Sequence, residues 1–332
     1  MATNRLARGL KDRGRRLRGG FRQHPTVHES IAPSMSSHFH LRIVESPPFS
    51  FRLVKWLQAR ELRGAWRLES LLANRRWRRS LVRTDLARGI SIDVPLEYGR
   101  AHYELAALAQ YRDALVDQAS SVLASYPGPF TLIDCGADIG LMSARLVAAN
   151  PSIRGVIAFE PNPRVFVYLK HNLSLLPCTA RAHAAAVASF EGRGTLRSPD
   201  FDASDHARYV VRDPLGAIDV LRLDSVAGEA TRGNLLLKID VEGGELAVLR
   251  GAARTLRAAA VCVVLFEAHP LHAARTGIDP VEVLQYLQAV LERRLEIVVV
   301  EAPGLKIRLD QPLWSQSVPE GVLNLCVHGR RD

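Results

Sequence analysis

An α/β fold built on a doubly wound, mostly parallel sheet is what this 332-residue chain predicts, and three observations predict it. Short apolar runs alternate with helical patterns over the C-terminal part of the chain. One such run, Thr131-Leu132-Ile133-Asp134, leads into Cys135-Gly136-Ala137-Asp138-Ile139-Gly140, a glycine turn at a strand's end. The next run, Val156-Ile157-Ala158-Phe159, ends in Glu160, 20 residues past the second glycine.

Composition divides the chain into three parts. Residues 1–36 hold Arg5, Arg8, Lys11, Arg13, Arg15, Arg16, Arg18 and Arg22 with few apolar residues, then Pro25, Pro33 and a Ser/His stretch. Such a segment buries too little apolar surface to fold and reads as a disordered basic arm. Its Arg-rich, acid-poor start is also similar to an organellar transit peptide, although nothing else points to an organelle. Residues 37–129 read as a helical cap. From Phe51 to Arg88, Val54, Leu57, Leu62, Trp66, Leu71 and Leu72 recur at helix-compatible intervals among many arginines. Leu105, Leu108, Leu115, Val116 and Leu123 do the same from Tyr103 to Leu123. Trp56, Trp66 and Trp77 demand a packing surface, and Arg75, Arg76, Arg78 and Arg79 would attract an anionic acceptor. Tyr126-Pro127-Gly128-Pro129 marks the entrance to the third part, residues 130–332.

Strand candidates in that part are Phe130 to Cys135, Gly155 to Glu160, Ala182 to Val187, Leu235 to Val241, Val261 to Phe266, Leu295 to Val300 and Val322 to His328. Ile218 to Leu223 is read as an added strand leading into Asp224. Gly304 to Pro312 suggests a hairpin-like excursion between the last two strands.

Composition excludes several classes. With 47% hydrophobic residues the chain is not disordered as a whole. Cys135, Cys178, Cys262 and Cys326 lie far apart without a C-x-x-C pair, as expected of reduced, buried cysteines rather than disulfides or zinc ligands. No apolar run reaches bilayer-spanning length and no signal-peptide core is present, so the expected location is the cytoplasm. The net charge of +10 is unevenly placed: residues 1–100 carry 21 Lys and Arg against 8 Asp and Glu, leaving 23 against 26 in the remainder. A nucleic-acid enzyme would carry positive charge around its catalytic cleft as well, so nucleic acid is not the expected partner. An anionic membrane surface or an acidic partner suits the basic N-terminus. The plainer reading of its helices is a solvated basic face.

In an open parallel sheet, ligands sit beyond the carboxyl ends of the strands. Asp134, Glu160, Asp240, Glu242 and Glu267 all fall at or just after such ends, which gathers five carboxylates on one rim. Glu245 follows in the first helical turn, where a capping role fits. The glycine spacing then separates two cofactor classes. A dinucleotide site wants G-x-G-x-x-G so that backbone can approach a pyrophosphate, but the middle position here is Asp138. A carboxylate repels pyrophosphate and tolerates the sulfonium and ammonium of S-adenosylmethionine. The expected cofactor contacts are therefore Asp134, Gly136, Ala137, Asp138, Gly140, Glu160 and Asn162, with Glu160 taking the ribose hydroxyls.

These residues resemble a family, the FkbM-type methyltransferases, which are class I S-adenosylmethionine-dependent enzymes with a Rossmann-like fold. The resemblance runs from about Leu132 to His269. It is carried by Ile133 to Gly140, Phe159-Glu160-Pro161-Asn162-Pro163, Leu223-Asp224-Ser225, Leu237-Lys238-Ile239-Asp240-Val241-Glu242-Gly243-Gly244-Glu245, Leu249-Arg250-Gly251-Ala252 and Phe266-Glu267-Ala268-His269. The chain departs from the family pattern at Asp138, where Asn is common, and at Gly244. The resemblance implies a seven-stranded sheet with an antiparallel final strand, and a methyltransferase domain over residues 130–332. It also implies methyl transfer to an oxygen of a small or carrier-linked hydroxyl acceptor such as a sugar or glycolipid. Asp240 and Glu242 would lie between cofactor and acceptor. His269, beside Glu267, would be a general base, or else a loop histidine bonded to backbone. A divalent metal on Asp240 is a minority alternative, and no metal ligand set is assigned. Two other functions remain open from the residues: an NAD-type oxidoreductase, and a non-catalytic module that uses its basic N-terminus.

Overall fold

The computed structural model describes residues 41–44, 46–60, 62, 64, 67–68, 71–72, 77, 80–96, 113–198, 208–228 and 233–330, and Leu41–Asp332 forms one compact unit. The expected basic arm lies outside the described residues. So do the readings placed on Trp66, on Arg75, Arg76, Arg78 and Arg79, and on Tyr103 to Arg112.

In chain order the elements are β1 (Arg42–Val44), α1 (Phe49–Ala59), β2 (Ser80–Asp85), β3 (Ser91–Pro95), α2 (Ala114–Ala124), β4 (Phe130–Cys135), α3 (Leu141–Ala149), β5 (Ile153–Phe159) and α4 (Pro163–Leu173). Then come β6 (Thr179–His183), β7 (Ala185–Val187), β8 (Gly192–Arg197), β9 (Tyr209–Arg212), β10 (Ile218–Leu221), α5 (Leu223–Val226) and β11 (Asn234–Ile239). The chain continues through α6 (Glu245–Arg250), α7 (Ala253–Ala258), β12 (Val261–Ala268), α8 (Pro270–Thr276), α9 (Pro280–Leu291), β13 (Glu296–Val299) and β14 (Leu323–Arg330).

The main sheet has seven strands in the order β13-β14-β12-β11-β4-β5-β6. All pairings from β12 to β6 are parallel, while β14 runs antiparallel to both β12 and β13. Strands buried on both faces read as continuous apolar runs because alternate side chains go to opposite layers. Leu132, Val156, Leu236 and Val263 enter one core with α2, α3 and α4, and Ile133, Ile157, Leu237 and Val264 enter the other with α6, α7 and α9. Helices on both faces make the sheet doubly wound, as expected. Asp279 closes a capping box with Glu282 at the start of α9, the helix that covers the second face.

Two parts of the sequence reading are corrected by the structure. Ala182 to Val187 is not one strand: β6 stays in the main sheet, and β7 turns off at Ala184 into a second sheet ordered β7-β10-β8-β9. Among its described residues, the segment expected to be a helical cap holds two helices of more than one turn, α1 and α2, the latter on the expected helix ending at Leu123, together with an unexpected three-stranded sheet ordered β1-β2-β3. The helical reading of Phe51 to Arg88 fails at its end, where Ser80–Asp85 is a strand. Ser80–Asp85 buries Leu81, Val82 and Thr84 and exposes Arg83, and β3 supplies Ile92 and Val94. Trp77 is buried as expected, whereas Trp56 is half exposed. No helix among the described residues is long and apolar enough to cross a membrane.

A shared apolar core, to which Leu81, Ile90, Ile92 and Val94 contribute, and one buried carboxylate dock this N-terminal sheet on the main domain. Asp93, fully buried, takes both arms of the Arg83 fork at 2.9 Å and the His171 Nε2 of α4 at 2.8 Å. Asn172 completes the joint, accepting from the Asp93 N–H and donating to the Asp93 and Ile139 carbonyls. Burial pushes the Asp93 carboxyl up, but the hydrogen bonds and charges of His171 and Arg83 win and hold it at about 2. A depressed carboxylate contributes stability that is present above its unfolded value of about 3.9 and is lost as pH falls through about 2. Asp93→Ala should therefore destabilise the protein by roughly 2–3 kcal/mol in urea titrations at neutral pH, the scale of hydrogen bonds to a charged group. The difference from the parent should shrink as the pH is lowered from about 5 toward 2.

Candidate active site

The glycine turn after β4 leans directly on the end of β11. Gly136 has φ +79°, and a Cβ there would sit 1.8 Å from the Asp240 carbonyl oxygen. Its missing side chain is thus required by the protein's own backbone as well as by any ligand. Gly140, at φ +86°, starts α3, and a Cβ there would meet only the Leu169 side-chain tip at 3.1 Å. Between them Asp138 adopts the left-handed φ of +49°, uncommon for a residue with a Cβ, and its N–H donates to Glu160 Oε2 at 3.0 Å.

Beneath the turn lies Lys238 of β11. Its ammonium donates to the Gly136 carbonyl at 2.9 Å and pairs with Asp134 Oδ1 at 3.1 Å and Asp240 Oδ2 at 3.3 Å. The Asp134 contact is an ion pair without hydrogen-bond alignment, and the other oxygen of Asp134 accepts from Ser143 Oγ at 2.6 Å. Burial lowers the Lys238 pKa, but the charges of Asp134 and Asp240 win and raise it well above the ordinary lysine range. Asp134 is therefore a fully buried anchor of the turn.

One cavity of about 530 Å³ opens beyond the strand ends. Gly136, Asp138, Glu160 and Asn162 line one side, Asp240, Glu242 and Gly243 another, and Val165, Ala185 to Ala188, Phe190, Leu196 and Val210 supply apolar wall. Of the residues expected to hold a cofactor, Asp134, Ala137 and Gly140 stand behind this lining and the other four are in it. Both Glu160 oxygens accept backbone N–H groups, Oε1 from Asn162 at 2.8 Å and Oε2 from Asp138 at 3.0 Å. Burial pushes its carboxyl up to about 7, with the Asp138 charge adding and the backbone donors opposing. Asn162 caps α4 by accepting from the Arg164 N–H, and its buried Nδ2 has no hydrogen-bond partner in the protein.

The acceptor side is built on a strained turn. Glu242 has φ +58° and Gly243 +89°. Glu245, the first residue of α6, does not cap that helix in the way expected: its Oε1 accepts from the Gly243 N–H at 2.9 Å and so braces the turn before it. The Glu242 carboxylate meets His272 Nε2 at 2.8 Å. Burial lowers the His272 pKa, but the hydrogen bond and charge of Glu242, with Glu245, win and raise it above its ordinary value. Arg275, one helical turn on, donates to the Glu242 carbonyl and stacks its guanidinium 3.7 Å above the Tyr209 ring of β9. His269 sits elsewhere. Its Nδ1 accepts from the Leu271 N–H at 3.1 Å as the N-cap of α8, and its ring stacks on His272 in a small side recess with Glu267. The backbone-bonded alternative for His269 is the one its geometry matches. Burial, with the charges of Asp240 and Glu242, pushes Glu267 up to about 7.

Sequence reasoning missed Lys238, His272, Arg275 and Tyr209. Lys238 was legible in principle, as a lysine inside an otherwise apolar strand. His272 and Arg275 carried no signal beyond their spacing three apart on one helix.

A doubly wound sheet with a glycine turn, a buried acid at the end of the next strand and a second acidic turn at its carboxyl rim has the layout of a nucleoside-cofactor domain. Residues 134–294 match the family model described as the methyltransferase FkbM domain, and this segment of the chain belongs to that family. The protein called Methyltransferase 1 from Beauveria bassiana is 28% identical over 165 residues, 42% of this chain and 65% of that protein. Hexuronic acid methyltransferase AglP from Haloferax volcanii is 31% identical over 158 residues, 47% of this chain and 60% of that protein. The chain thus spans less than two thirds of the length of these curated relatives. A crystal structure of methyltransferase FkbM from Methylobacillus flagellatus aligns with 83% of this chain and 76% of its own at 15% identity and a TM-score of 0.36.

S-adenosylmethionine is the cofactor expected of such a domain, and the residues present fit it. The cavity is of ligand size. Its lining sets Asp138, Glu160, Asp240 and Glu242 against two cations, Arg208 and Arg275, a balance that suits a positively charged ligand. Asn162 Nδ2 offers an unused buried donor beside Glu160. Gly136→Ala should be among the most damaging substitutions in the chain, costing more than about 4 kcal/mol or preventing folding, because backbone must move. Gly140→Ala should cost only about 1–2 kcal/mol, the price of a left-handed φ plus a shift of the Leu169 tip. Thermal melts of the two variants check the ordering.

Proposed function

We propose that the chain is an S-adenosylmethionine-dependent methyltransferase acting on a hydroxyl or acid oxygen of a sugar-type acceptor. The observation that supports this reading is the main cavity, in which Glu160 and the Gly136 turn face Glu242, itself braced by His272 from the neighbouring recess. The cofactor, when bound, supplies an electrophilic methyl group on a sulfonium. Glu160 and Asn162 would hold its ribose, Val165, Ala185 and Ala186 would flank its base, and Gly136 and Asp138 would bound its amino-acid end. The remaining task of the protein is to align an acceptor oxygen and manage its proton. Glu242 would take that proton, with His272 fixing the orientation of its carboxylate, and Asp240, paired with Lys238, would stand between cofactor and acceptor. The name of the Haloferax relative favours a sugar acid as acceptor. Arg208 and Arg275 in the cavity lining support an acceptor with negative charge.

Calorimetry against S-adenosylmethionine, S-adenosylhomocysteine and NAD tests the cofactor class. Binding of the first two is expected; tight NAD binding without response to them would return the oxidoreductase reading. Glu160→Ala should weaken S-adenosylmethionine binding by about 1.5–3 kcal/mol without unfolding the protein. Ligand-free Glu160 titrates near 7, so its ionisation costs the empty protein stability as pH rises through about 7. Only the carboxylate can accept from both ribose hydroxyls, so cofactor affinity should fall as the pH is lowered from about 8 to about 6, and Glu160→Gln should flatten that dependence. Glu242→Gln should lower kcat by roughly 10²–10⁴ while leaving cofactor affinity near the parent value, as expected on removing a general base.

A further inference from the structure

Helix α1 is divided lengthwise. Phe51 and Val54 are buried with Trp77, Val82 and Leu96 in a small core of their own. Phe49, Leu53 and Trp56, spaced four and three apart and so on one helical face, are 72%, 39% and 50% exposed. Arg52 is exposed between them, Lys55 lies 5.7 Å from the centre of the Phe51 ring, and the Arg60 guanidinium stacks 3.8 Å from the centre of the Trp56 ring. The helix contains no acidic residue. Among the described residues, nine large apolar side chains are exposed, and six of them fall between Ile43 and Leu71. Three of them, Phe49, Leu53 and Trp56, share one face of a single helix and so form a patch rather than scattered exposure.

We propose that this face of α1 docks on an anionic lipid bilayer. Phe49, Leu53 and Trp56 enter the boundary between headgroups and acyl chains, and Arg52, Lys55 and Arg60 meet the lipid phosphates. Trp suits that boundary because its ring is apolar and its N–H is not. Charge excludes two other occupants. A second copy of the chain would bring the same three cations against themselves. The segment of residues 1–40 carries eight Lys and Arg against two Asp and Glu, and is repelled likewise. That segment adds a second attraction to the same lipid, and stable peripheral binding requires an apolar and a basic contribution together. The surface is separate from the cofactor cavity, so the proposal stands or falls apart from the enzymatic reading.

Sedimentation of the full chain with vesicles of phosphatidylcholine alone, and with about 30% phosphatidylglycerol added, tests it. The protein should bind the anionic vesicles at least tenfold more tightly, and less so as salt is raised. The variant F49S/L53S/W56S should lose at least tenfold in affinity with an unchanged Tm, since none of the three side chains is in the core. Brominated acyl chains should quench tryptophan fluorescence in the parent, and Trp56→Phe should remove most of that quenching. The proposal is overturned if the parent binds neither vesicle, if the triple variant binds as well as the parent, or if Trp56 is not quenched. A stable dimer or an acidic-protein complex that the triple variant abolishes, with no vesicle binding, would assign the face to that partner instead.

Discussion

Lys238 is the tie on which the cavity depends. Its ammonium joins the carbonyl of the glycine turn to the carboxylates at the ends of β4 and β11. Gly136 lies so close to the Asp240 carbonyl that the two strand ends behave as one rigid piece. The acidic groups on two sides of the cavity are set by that piece. Asp138 and, through it, Glu160 are fixed on one side, and the Asp240-Val241-Glu242-Gly243 turn is fixed on the other. A buried ion pair of this kind is a weak source of net stability, because desolvation offsets most of its attraction. Its worth here is in position: a hydrophobic replacement could keep the strands packed but could not satisfy Asp134 or hold the Gly136 carbonyl.

The same constraint explains why the motif residues have two kinds of duty. Asp134, Ala137 and Gly140 are as prominent in the sequence as Glu160 and Asn162, yet they stand behind the wall and shape it. Asp224 and Gly251, farther along the shared motifs, are of this kind too. Asp224 accepts from the Thr255 N–H at the start of α7, while the Gly251 carbonyl accepts from the Asp224 N–H. A short motif in a doubly wound fold marks where strand ends meet turns, and such places must be built before they can bind.

The main sheet was legible because its strands are buried on both sides. Six of the seven candidate runs fall on observed strands with ends displaced by a residue or two, and the seventh, Ala182 to Val187, was found but not its break at Ala184. Nothing in that apolar run distinguishes a strand that ends from one that passes to a second sheet. The three-stranded sheet near the N-terminus was not legible, since Leu81 and Val82 are adjacent and both buried, on opposite faces, which breaks the in-out alternation that marks a strand. In the site, residues at strand ends were found and residues on α8 were not. The carboxylates announce themselves by following apolar runs. His272 and Arg275 matter only because α8 is folded back over the Glu242 turn, a long-range contact that local pattern does not encode. His269 drew attention by standing next to Glu267, and that adjacency in sequence proved to be a helix cap.

Charge in this protein is sorted by place. The cavity carries an excess of carboxylates and suits a cationic cofactor, while the basic excess lies in the first hundred residues, outside the catalytic motifs. Had the two been mixed, the positive segment would have competed with the cofactor for Asp138, Glu160, Asp240 and Glu242. The joint between the regions is neither acidic nor basic on balance: Asp93 is matched by Arg83 and His171 and buried from solvent. A neutralised, dehydrated joint lets a positive N-terminal surface and a negative cavity coexist in one compact unit without either field weakening the contact that holds them together.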